Sequence, residues 1–210
     1  MGRRELAPTA HLGLSFPLPE GAEERPPTPI DLSALGGAEL VMQRAWALPT
    51  GGSTEVACVR APAHLWVQGL EGAVLAGASA MVRDRAGLGV LTPGAVESVD
   101  GHWEQSFSGR ASSPDPLGAA GRHVFGFVDD GTDGMLCTMV CVAPPPAEPC
   151  TALVAGLRIE GELEPPPAPG MAAATLAFMA ARPRTALAMG GLIVLLVAVV
   201  LVLRRPRPAW

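Results

Sequence analysis

The chain has 210 residues, 49% of them hydrophobic, and carries 20 Asp and Glu against 15 basic side chains for a net charge of −5. All the basic residues are Arg, and residues 1–170 hold every acid against ten arginines, while residues 171–210 hold five arginines and no acid. An acidic head excludes nucleic acid as a partner, a basic tail suits anionic lipid headgroups, and a chain without Lys has no residue for a phosphate-binding loop.

Residues 1–36 are rich in Pro and Gly, with PLPEG at 17–21 and RPPTP at 25–29, and the expectation is an irregular arm, because proline fixes φ and removes a donor. No cleavable signal is expected here either, since Pro8, His11, Pro17 and Pro19 interrupt any apolar core. From 37 to 162 the pattern changes to that of a globular domain. Glu39–Leu48 and Thr54–Arg60 carry β-compatible apolar residues around the turn sequence PTGGS, which predicts a hairpin. Between Trp66 and Asp84 the apolar residues recur at three- and four-residue steps, which predicts one amphipathic helix; Gly69, Gly72 and Gly77 weaken it and suggest close approach to a sheet.

Short strands are expected at Gly89–Leu91 and Val96–Val99, then at His102–Arg110, where Trp103, Gln105, Phe107 and Gly109 share a face. Arg122–Val128 and Met135–Val142 are the clearest strands, joined by DDGTDG as a tight hairpin. Cys150–Leu157 suits a short helix that starts near Pro149, with a strand as the alternative. A Pro-rich linker at 163–170 and an Ala-rich juxtamembrane helix at 171–182 follow.

Thr185–Leu203 is uncharged, with twelve Leu, Ile or Val among nineteen residues, and as a helix it spans roughly 28 Å, the thickness of a bilayer's hydrocarbon core. Arg182 and Arg184 precede it, and Arg204, Arg205 and Arg207 follow in the basic tail 204–210. The expectation is a single-pass, tail-anchored membrane protein. The missing signal predicts a cytoplasmic N-terminal domain, although the flanking arginines, three beyond the helix and two before it, lean slightly the other way.

The fold class expected is α+β: an antiparallel sheet with one long and one short packed helix. On AWALPTGGSTEVACV, the 66–84 helix and GRHVFGFVDDGTDGMLCTMVCV, the chain resembles the α/β/α sandwich of the PsbP-like proteins over about residues 12–160. The resemblance is topological. It implies a binding role and carries over no site residue.

Candidate constellations are weak. Asp129-Asp130-Gly131-Thr132-Asp133-Gly134 begins like a calcium loop, but Gly131 and Val140 occupy ligand positions, so a solvated turn is expected. Cys137 and Cys141 share a strand face too far apart to bridge, and read as core. Cys141 and Cys150 flank a Pro-rich loop and would pair in an oxidising compartment. Zinc on these thiols with His64 or His123 lacks paired-ligand spacing, so no metal and no cofactor are expected. His11, His64, His102 and His123 are scattered and read as turn or strand-face residues. Ser79 in Gly77-Ala78-Ser79-Ala80-Met81 lacks the strand-to-helix elbow of a serine hydrolase, and GGSTEV at 51–56 lacks phosphate-loop spacing. Trp46, Trp66, Trp103 and Phe107 read as core before they read as a pocket.

The functional expectation is a non-catalytic domain beside the lipid bilayer, docking a membrane or envelope protein partner. The alternative is a small-ligand or lipid sensor with its pocket between the 66–84 helix and the sheet.

Overall fold

A computed structural model describes residues 2–9, 12–32, 37–62, 71–111, 117–129, 131–145, 148–161 and 163–164. The chain divides into two units, Met1–Trp66 with Leu70–Pro167, and Val67–Gly69 with Ala168–Trp210; every described residue belongs to the first. The expected juxtamembrane helix 171–182, the anchor 185–203 and the flanking arginines therefore lie outside the described residues. Among the described residues no helix is long and apolar enough to cross a membrane.

The fold is α+β and antiparallel throughout. Strands β1 (Gly2–Leu6), β2 (Leu12–Leu18) and β10 (Arg158–Gly161) form a small sheet in the order β1-β2-β10. The large sheet runs β3 (Glu23–Arg25), β4 (Glu39–Ala47), β5 (Ser53–Pro62), β9 (Asp133–Ala143), β8 (Gly118–Val128), β7 (His102–Ala111) and β6 (Leu88–Val99). Helix α1 (Glu71–Arg85) packs on β6, β7 and β8, and α2 (Glu148–Ala155) packs on β8, β9 and β2.

Both predicted hairpins form. At PTGGS the chain reverses because Gly51 and Gly52 adopt φ of 84° and 88°, and the amide of Gly51 donates to Leu48 O at 3.0 Å. Two-residue periodicity then fixes the faces of β9: Met135, Cys137, Met139, Cys141 and Ala143 point one way and are buried, while the residues between them point the other way and are half-buried. The buried set meets Leu14 and Phe16 of β2 and Leu153 of α2 in the main core.

Three expectations are corrected. The arm at 1–36 contains strands: Leu12, Leu14, Phe16 and Leu18 alternate toward the core and are at most 4% exposed, so hydrophobic alternation prevails over the proline at position 17. The two strands expected at 89–99 are one, β6, with irregular pairing between Pro93 and Val96. At the start of the expected 163–170 linker, residues 163 and 164 are held against the domain, because Glu164 N donates to Phe127 O at 2.9 Å and Leu163 packs against the core; residues 165–170 lie outside the described residues. The glycines of α1 are also placed differently from the expected close approach. Gly72 and Gly77 are exposed, and a Cβ at either would meet nothing within 4 Å, while position 69 lies outside the described residues.

Candidate functional site

Helix α1 lays Leu75, Ala78, Ser79 and Val82 on the sheet, the i, i+3, i+4, i+7 stripe of a helix with one buried face. Ser79 is the polar member of that stripe, and the sheet answers it. Its Oγ lies 3.0 Å from His123 Nε2, and His123 Nδ1 lies 2.9 Å from Thr138 Oγ1, so β8 and β9 complete a chain of three side chains. Phe107 covers the imidazole at 4.7 Å between ring centroids. Burial pushes the His123 pKa down to about 4, which keeps the ring neutral at pH 7.

A serine beside a histidine is the beginning of a nucleophile and its base, but two features oppose that chemistry. Ser79 is 5% exposed and His123 is 0% exposed, so no substrate reaches either one. The third member is a hydroxyl where a carboxylate would be needed to stabilise an imidazolium. The three groups instead satisfy one another in the core. The sequence signal for them is plain once α1 is placed: a serine within an apolar stripe requires a partner on the opposing strand.

Beside this relay, α1 leaves part of the sheet uncovered. Helix α1 reaches β6, β7 and β8, whereas the half-buried side chains of β9, including Val140 and Val142, face a slot bounded by α1, β5 and residues 25–30. Two adjoining hollows of about 220 Å³ and about 40 Å³ share Glu55, Val82, Arg85 and Val140. The 25–30 segment is pinned as a wall. Thr28 O accepts from Gln43 Nε2 and from an Arg85 Nη2 amine, each at 2.5 Å, and Glu55 Oε1 accepts from the same two donors at 2.8 and 2.7 Å. Arg85 Nε is buried and has no acceptor, and Arg25, exposed at the mouth, has no carboxylate partner among the described residues. The slot sits where the sequence placed the pocket of a ligand sensor, between helix and sheet.

The cysteines are all bonded. Cys141 on β9 is joined to Cys150 on α2, and Cys58 on β5 to Cys137 on β9, at a register where these two residues stand opposite each other. The reading of Cys137 and Cys141 as core residues is right about burial; the Cys141–Cys150 pairing was among the alternatives expected, and the Cys58–Cys137 bond was not. With the thiols so engaged and both nitrogens of His123 held, these groups offer no zinc set; among the described residues no cluster of three metal-binding side chains occurs. His11 and His64 lie outside the described residues.

Other charged groups are tied down. Arg60 Nε donates to Asp133 Oδ2 at 2.6 Å and an Arg60 Nη2 amine donates to Asp129 Oδ2 at 2.5 Å, so β5 clamps the first and fifth residues of the calcium-like motif. The Asp133 contact raises the Arg60 pKa, chiefly through that hydrogen bond. At the other end of the sheet His102 Nε2 lies 3.0 Å from Glu104 Oε1, and Arg122 pairs with the same carboxylate; burial lowers the His102 pKa. The aromatics form core contacts. Trp46 meets Phe16 at 5.5 Å, and Trp103 stacks on Phe125 at 5.8 Å, while Trp66 lies outside the described residues.

No protein-family model matches the chain, and no curated protein matches it. The PsbP-like resemblance therefore has no family match behind it. Among solved structures the chain is similar to LpqN, involved in cell envelope biogenesis in Mycobacterium tuberculosis, at 10% identity and a TM-score of 0.39, over 76% of this chain and 91% of that one. That similarity is a distant structural one and assigns no activity.

Proposed function

We propose that the chain is a non-catalytic binding domain, held beside a membrane by residues 185–203 on its oxidising side, where it docks a component of the cell envelope. The observation that carries this reading is the pair of disulfides. They use all four cysteines, and such bonds persist in secreted and periplasmic surroundings while cytosolic thiols are kept reduced. This reading reverses the cytoplasmic placement expected from the missing signal, and it agrees with the extra arginine beyond the anchor.

Burial of the Ser79–His123 pair supports a role without covalent chemistry. Docking is supported by β6, whose outer edge has no strand partner among the described residues and which exposes Val90 and Val96. A second reading, a small-ligand sensor, is favoured by the slot under α1.

The test is protease treatment of intact cells expressing the full chain with an N-terminal tag. Loss of the tag, together with a maleimide-polymer shift seen only after reduction, is the expected result. A protected tag and thiols that react without reduction would sink the placement. Retention in membranes after alkaline carbonate tests the anchor, and a photoreactive residue at Val90 tests docking.

A further inference from the structure

We propose that the slot between α1 and β9 binds an anionic amphiphile, a carboxylate or phosphate headed by Arg25 and Arg85 with its aliphatic chain laid along Val82, Val140 and Val142. The inference deepens the ligand-sensor reading and is independent of the tether.

The two faces of β9 provide the first argument. One is sealed by α2 and the small sheet; on the other, Val140 and Val142 pack against the cluster of Val82, Leu88, Phe107 and Ala119 and stay half-buried where they border the hollow. Half-covered aliphatic surface retains a hydrophobic driving force of about 25 cal/mol per Å² for whatever covers it.

Polarity at the mouth gives the second. Arg85 lines the hollow with its terminal amine bonded to Glu55 and Thr28 O, so its guanidinium is held in place there. Arg25 lines the same hollow without a carboxylate partner, so Arg25, Arg85 and Glu55 leave the mouth with a local charge of +1. Residues 1–170 as a whole carry ten more acids than arginines, which makes this positive spot selective by contrast.

Size sets the ligand. About 220 Å³ is less than the roughly 300–1,000 Å³ of pockets that enclose drug-sized molecules, so the hollow takes a head group and the first several carbons of one chain. Thr28 and Ile30 wall the slot from a segment with prolines at 26, 27 and 29, whose fixed φ preforms that wall and lowers the cost of ordering it.

The experiment follows the ε-methyl of Met81, which lines the smaller hollow, by carbon-13 NMR of methyl-labelled methionine in the full chain held in phosphatidylcholine nanodiscs. Met139, buried on the opposite face of β9, serves as the internal control. Sodium octanoate is expected to shift Met81 saturably while Met139 stays still, with octanol and butyrate at least tenfold weaker. Arg25→Gln, an exposed position, is expected to weaken octanoate at least fivefold without moving the melting temperature. Val140→Phe is expected to abolish the shift by filling the hollow. Replacing part of the phosphatidylcholine with phosphatidylglycerol distinguishes the sources: a Met81 shift from the discs alone makes a membrane headgroup the ligand, and a shift from octanoate alone makes it a free acid. Silence of Met81 in both arms, equal binding of octanol, or an unaffected Arg25→Gln overturns the proposal. Disulfide placement and membrane retention are read separately and survive that result.

Discussion

Ser79 Oγ stands 3.0 Å from His123 Nε2 inside the core, and this pair ties the only long described helix to the centre of the sheet. Because burial disfavours the charged form of this ring and no carboxylate faces it, protonating His123 costs the folded state, which makes the packing of α1 sensitive to acid.

The folded His123 pKa of about 4 lies below the 6.5 of the free side chain, so the unfolded chain takes up a proton first as pH falls. Stability from this group is complete above pH 6.5, declines between 6.5 and about 4, and declines no further below that; the loss is on the order of 3 kcal/mol. Burial of His102 lowers its pKa and adds in the same direction. Urea midpoints at pH 7.5 and 4.5 check this. His123→Phe is expected to be less stable at pH 7.5, because Ser79 and Thr138 lose a partner, and to show a clearly smaller fall on acidification. Equal falls in both proteins would refute the role of His123.

The parts of this fold that were legible in the sequence are the local ones. PTGGS and DDGTDG each join strands through their own turn chemistry, and the Cys141–Cys150 bond spans nine residues of sequence, so neighbouring residues carried enough information. The Cys58–Cys137 bond was not legible, because it depends on β5 pairing with β9 across 79 residues. Strand β2 was hidden by composition: Pro17 sits among four alternating core residues, and β2 is the central strand of a sheet that takes its third strand from the far end of the domain. The slot could be guessed as a helix–sheet cleft, but its cations could not. Arg25 of β3 and Arg85 of α1 line one hollow through tertiary packing, across 60 residues of sequence.

The two disulfides differ in what they constrain. Closing 79 residues removes more freedom from the unfolded chain than closing nine, about 4.5 against about 2.6 kcal/mol in the chain-entropy treatment. Replacing both Cys58 and Cys137 by Ala is therefore expected to lower the unfolding midpoint more than replacing both Cys141 and Cys150. Thermal melts of the two double variants under non-reducing conditions decide it, and the opposite order would show that native-state packing, not loop closure, dominates.

Arg60 holds two carboxylates of the β8–β9 turn at once, with Asp129 in a left-handed conformation at φ 54°. All three side chains are partly exposed, so screening keeps the contribution small. Arg60→Gln is expected to cost about 1 kcal/mol, and the cost should shrink in 1 M NaCl, where the Debye length is about 3 Å. A penalty unchanged by salt would mean that the arginine acts through packing of its aliphatic stem.

Glycines give the last prediction its two opposite signs. At Gly72 and Gly77 a Cβ would enter open space on the exposed side of α1, so Ala there removes backbone freedom from the unfolded chain without a clash. Each change is expected to stabilise by up to about 1 kcal/mol. At Gly121 an added Cβ would run into the ring of Phe107, which lies across β8 and in turn covers His123. Gly121→Ala must displace that ring, expose the imidazole it shields and disturb the bond to Ser79, so it is expected to destabilise by about 1–3 kcal/mol. It should also raise the folded pKa of His123, readable in the ring proton shifts during an acid titration. An alanine at 121 that leaves both stability and that titration untouched would mean the ring does not seal the relay.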